Sequence, residues 1–107
     1  MEDPAKSLAE LRAEIDALDD QFCSLLANRL TLTDAVGRCK ALTGEPPEDP
    51  QRQRRRKKLL EALAVRHRLP RVLVQGLFGL IKEEVVARHM ATARRLGCVQ
   101  GGRMDCP

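Results

Sequence analysis

A chain of 107 residues, 43% hydrophobic and 32% charged, is long enough for one small domain but not for a large core. With two Phe, no Trp, no Tyr and no alternating β-branched run, composition excludes a strand-based fold and points to an all-α class. The net charge of +4 favours anionic partners in general and does not choose between nucleic acid and a small acid.

Residues 1–6 read as a short polar lead without the basic and apolar pattern of a signal peptide, and no apolar run reaches the length of a membrane span. A soluble, cytoplasmic chain with no membrane contact is expected. Ser7 followed by Glu10 fits a capping box that starts the first helix, and Asp3 before Pro4 offers a start one turn earlier. Leu8, Leu11, Ile15, Leu18, Phe22, Leu25, Leu32, Val36 and Cys39 then recur at alternating spacings of three and four, the signature of a coiled-coil seam. Gly44 should cap this helix after Thr43, with Pro46 and Pro47 preventing continuation. Such a helix is about 50 Å long, whereas a compact chain of this size has a radius of gyration of about 13 Å. The seam therefore needs a second copy, and an intertwined homodimer is expected.

Asp49 before Pro50 is a strong start for a second helix, in which the basic run Arg52 to Lys58 precedes an apolar side of Leu59, Leu60, Leu63 and Val65. It should end near His67 or Arg68. Pro70 opens a third helix with a stripe of Val74, Phe78, Ile81 and Val85 that continues to His89. Gly76 and Gly79 mark either close approach of another helix or tolerated small residues. One helical domain over residues 7–95 is expected, with a flexible tail over 96–107. Cys23 and Cys39 suit reduced, half-buried thiols, and Cys98 and Cys106 carry no assigned role. No cysteine or histidine stands at metal-ligand spacing, so neither metal nor cofactor is expected.

Three cations of the first helix stand out. Arg29 takes a seam position that calls for an aliphatic residue, so it needs a fixed acceptor, and Lys40, eleven residues on, points in nearly the same direction. Arg12 lies beside the seam, seventeen residues before Arg29, which is about 25 Å of helix. One chain cannot bring both to one small molecule, but antiparallel pairing sets Arg12 of one copy beside Arg29 of the other. The basic run Arg52 to Lys58 reads first as a solvated helix start and second as a nucleic-acid patch; the lack of stacking aromatics and of a zinc pattern speaks against the second. Nucleophile, phosphate-loop and metalloprotease motifs are all missing, and adjacent Glu83 and Glu84 point about 100° apart. Any chemistry must rest on cations, hydrogen-bond donors and shape.

The motifs L-R-x-x-I-D-x-L-D at Leu11 to Asp19, L-L-A-x-R at Leu25 to Arg29 and V-G-x-x-K at Val36 to Lys40 stand in the order seen in the all-helical, AroQ-type chorismate mutases, which this chain resembles. The segment Gly44 to Arg52 and L-F-x-x-I from Leu77 extend the resemblance over roughly residues 8–92. It implies an intertwined dimer of three-helix subunits with active sites completed by an arginine of the partner, and a Claisen rearrangement of chorismate to prephenate without nucleophile or proton transfer. Carried over by position, it implies that Arg12 and Arg29 bind the carboxylates of a small dicarboxylate and that Lys40 reaches both substrate and ether oxygen. Asp49 and Arg52 match polar residues at the start of helix 2.

Three positions depart from the pattern. Gln53 stands where many members carry Glu against the ring hydroxyl, Val85 where a hydroxyl residue often helps to hold a carboxylate, and His89 where a Gln or Glu donates to the ether oxygen. An imidazole can donate there in either protonation state. The same scaffold also suits a 4-amino-4-deoxychorismate mutase or an isochorismate-pyruvate lyase. A non-catalytic helical dimer that binds nucleic acid through its basic helix is the alternative of another class.

Overall fold

The structure is a computed structural model that describes residues 6–45 and 49–101, with side chains through Leu96. Three helices follow in order, α1 (Leu8–Thr43), α2 (Pro50–Arg66) and α3 (Arg71–Gly101), and no strand occurs among the described residues. The all-α class and the very long first helix, 36 residues without a break, are as expected.

Local chemistry sets the helix ends. At the start of α1, the Ser7 backbone N–H donates to Glu10 Oε1 at 3.0 Å and the Glu10 N–H donates to Ser7 Oγ at 3.1 Å, a reciprocal capping box. At its end Gly44 adopts φ 76° and the Glu45 N–H bonds back to the Lys40 carbonyl at 3.1 Å, closing a Schellman motif. Asp49 caps α2 with Pro50 behind it. The helix closes with a second 6→1 bond, Leu69 N–H to the Ala64 carbonyl at 2.9 Å, which puts Arg68 at φ 56°. A side chain in that left-handed region is strained, and glycine would relieve it.

Two compact units make up the chain, the first ending at Leu32 and the second beginning at Thr33. In the first, Leu8, Leu11, Ile15, Leu18, Phe22, Leu25 and Leu32 are between 37% and 69% exposed, so the apolar row is open along its length. Cys23 in this unit and Cys39 near the end of α1 in the second are free and exposed rather than half-buried. In the second unit the stripe on α3 behaves as its period demands: Val74 is buried and Phe78, Ile81, Val85 and His89 are half-buried. From α2, Ala64 is buried and Leu60 and Leu63 are half-buried, whereas Leu59 and Val65 face outward. The guanidinium of Arg56 lies over the Phe78 ring at 5.7 Å, so one charge of the basic run joins α2 to α3, a contact worth about 0.5–1 kcal/mol.

Two expectations on α3 change. Gly76 and Gly79 do not mark a close approach within this chain, since a Cβ built on either meets nothing within 4 Å. The helix also continues past Leu96 to Gly101, because no proline or glycine pair interrupts it before Gly101. The Asp3–Pro4 start, the Pro46–Pro47 stop, the Cys98 and Cys106 side chains and the rest of the tail lie outside the described residues.

The α1 start carries a pH dependence of known sign. The Glu10 carboxyl is held below its ordinary value, first by the hydrogen bond from the Ser7 backbone N–H and then by the Ser7 side chain. A depressed folded value means that its contribution is present above the unfolded value and is lost as pH falls through the folded one. Acidification should therefore move the Cα chemical shifts of Leu8 to Leu11 toward coil values, and Glu10→Gln should remove that titration.

Candidate functional site

Within the second unit the chemistry-bearing residues sit at the end of α1, the start of α2 and the middle of α3. Lys40 extends from the last turn of α1 and is half-buried. Asp49, Arg52 and Gln53 are exposed at the start of α2. Asp49 Oδ1 accepts from the backbone N–H of Gln51 at 3.0 Å and of Arg52 at 3.4 Å, so this carboxylate already serves the helix start. Val85 and His89, one turn apart on α3, are half-buried.

The structure brings His89 directly onto α1. Its Nε2 lies 2.7 Å from the Thr33 carbonyl oxygen. A carbonyl only accepts, so Nε2 carries the hydrogen. The ring covers Gly37, where a Cβ would stand 2.5 Å from His89 Cδ2 and 3.0 Å from Nε2, and Gly37 is buried accordingly. Beside it, Arg88 donates to Asp34 Oδ2 at 3.1 Å and, from Nε, to Glu84 Oε2 at 2.8 Å. The Glu84 hydrogen bond, with Asp34 adding its charge, holds the Arg88 guanidinium above its already high ordinary value.

Thr33, Asp34, Gly37 and Arg88 were not singled out by sequence reasoning. The readable signal was Gly37 itself: a glycine inside an otherwise unbroken helix costs about 0.8–1 kcal/mol relative to Ala, and something must offset that. Its partner 52 positions away in the chain could not be read from local pattern.

The first unit holds the other two cations. Arg12 is exposed and Arg29 is half-buried, with about 25 Å of α1 between them by helical rise. Among the described residues no group of three or more His, Cys, Asp or Glu could hold a metal ion, and no helix is long and apolar enough to cross a membrane.

Residues 11–90 match the family model of chorismate mutase type II. The chain belongs to the chorismate mutase type II family. Over 84 residues, 78% of this chain and 22% of the relative, it is 37% identical to the bifunctional chorismate mutase/prephenate dehydratase of Escherichia coli (strain K12). Over 92 residues, 86% and 24%, it is 32% identical to the protein of the same description in Enterobacter agglomerans. The chain thus spans less than a quarter of the length of these curated relatives. The part that matches the chorismate mutase family model runs from just before Arg12 to just after His89 and so encloses every residue singled out above.

Capping and ligand roles for Asp49 separate experimentally. Asp49→Ala should cost about 1 kcal/mol of stability and Asp49→Ser only a few tenths, since serine also caps. If the cap is the whole of its role, Asp49→Ser restores function along with stability; loss of function in that stable variant would show a role beyond the cap.

Proposed function

We propose that this chain is a chorismate mutase, an isomerase that converts chorismate to prephenate by a Claisen rearrangement. The observation that carries this reading is the family match over residues 11–90, which takes in Arg12, Arg29, Lys40 and Arg52 together. Basic side chains and no nucleophile are what this reaction asks for: it is unimolecular, so catalysis consists of holding a reactive conformer and stabilising charge that develops as the C–O bond breaks. Arg29 and Arg12 are suited to the two carboxylates, because a planar guanidinium can meet each with a pair of hydrogen bonds. Lys40 answers the negative charge growing on the ether oxygen. Arg52 and Gln53 face the polar side of the substrate, and Val85 adds apolar wall.

Because Arg12 and Arg29 of one chain lie too far apart for one small molecule, the working unit is a homodimer with shared sites, in which the partner subunit's Arg12 completes the set. The open apolar row of α1 supports the same assembly, since each large side chain gains on the order of 1.5–3 kcal/mol on full burial. Free thiols at Cys23 and Cys39 suit a reducing compartment such as the cytoplasm. Gln53 accepts equally from a hydroxyl or an ammonium, so it does not discriminate chorismate from a second candidate substrate, the amino analogue 4-amino-4-deoxychorismate. Parallel assays with chorismate, the amino analogue and isochorismate decide between them.

Lys40→Ala should lower kcat on the preferred substrate by about 10²-fold or more, with secondary structure and association state unchanged. Arg12→Ala and Arg29→Ala chains, each weak alone, should regain activity when mixed, because one site of the heterodimer is then intact. Absence of recovery after subunit exchange has been verified by mass spectrometry would mean that sites are not shared.

A further inference from the structure

We propose that His89 is a positioning residue that acts through the α1 backbone and fixes the turn from which Lys40 extends, leaving Lys40 as the donor that meets the breaking C–O bond. This rests on the chorismate mutase reading for its catalytic half and on geometry alone for its structural half. The Nε2–H of His89 is already given to the Thr33 carbonyl at 2.7 Å, so that hydrogen is aimed at α1 and not at a ligand. The ring fills the space above Gly37 so closely that a single methyl there would collide with Cδ2 at 2.5 Å. Arg88, the preceding residue, grips the adjacent Asp34 at 3.1 Å, so two successive side chains of α3 hold three positions within little more than one turn of α1. Lys40 follows Gly37 by three residues, on the next turn. A change of lock therefore changes where the Lys40 ammonium stands.

The lock also accounts for an imidazole at a position where the family resemblance places a substrate donor. A flat ring can lie on a glycine and reach a carbonyl beyond it, which suits close approach of two helices. The glycine and the histidine are in this sense one device, and neither is useful alone.

A double-mutant cycle tests the device. Gly37→Ala, which by helix propensity should be harmless or favourable, is expected to displace the ring and to lower kcat for the preferred substrate about tenfold or more, with KM little changed. His89→Ala should do the same by leaving the Thr33 carbonyl and the space over Gly37 unfilled. Gly37→Ala/His89→Ala should recover much of both the unfolding midpoint and kcat, because the new methyl occupies the space the ring has left. In the native protein the His89 Nε2–H should be visible by NMR as a slowly exchanging imidazole proton, lost in Gly37→Ala, and the Lys40 side-chain resonances should shift in each single variant and return in the double.

A double variant that regains stability while its kcat stays as low as that of His89→Ala would show that His89 itself touches the reacting substrate, and would overturn the proposal. A Gly37→Ala chain with native kcat and an unchanged Nε2–H signal would overturn it as well. If the native protein turned over none of the three substrates, the functional reading would fail. The lock would then stand or fall on the unfolding midpoints and on the Lys40 and His89 resonances.

Discussion

The second unit depends on a missing Cβ. At Gly37 the surface of α1 is low enough for the His89 ring to lie against the backbone and for Nε2 to reach the Thr33 carbonyl past it. A Cβ at 37 would meet the ring at 2.5 Å and force it to shift, beside the Arg88 to Asp34 pair on the neighbouring position. Interiors are close-packed, so such a contact has one good arrangement rather than a range of tolerable ones. In the mechanism proposed above, that stiffness fixes the turn that leads to Lys40.

The first unit poses the opposite problem. Its helix has well-made ends and an unbroken apolar row, yet that row stays open in the single chain. A row of leucines at coiled-coil spacing is the kind of face that association buries: local propensity makes the helix, and covering that face stabilises it. The separation of Arg12 from Arg29 along the same helix is the second observation on which the proposed assembly rests. The proposed dimer answers both the open row and the separation of the two arginines.

The basic start of α2 shows how a charge run resolves once neighbours are known. Seven consecutive polar and basic residues, Arg52 to Lys58, look uniform in the sequence, yet they divide by direction. Arg56 turns inward over Phe78, Arg52 stands at the capped helix start beside Asp49, and Arg54, Arg55, Lys57 and Lys58 are solvated.

The sequence by itself determined the three helices, their caps at Ser7, Gly44 and Asp49, the open seam of α1 and the identity of the cations, because each of these follows from spacing and side-chain chemistry within a few residues. The ordered motifs from Leu11 to Lys40 also made the family legible. Tertiary structure alone decided that close approach falls at Gly37 rather than at Gly76 or Gly79, that Arg56 is a packing residue, and that His89 spends its Nε2–H on Thr33. Those outcomes depend on partners far apart in sequence, and a helical period says which face a residue occupies but not what arrives against it.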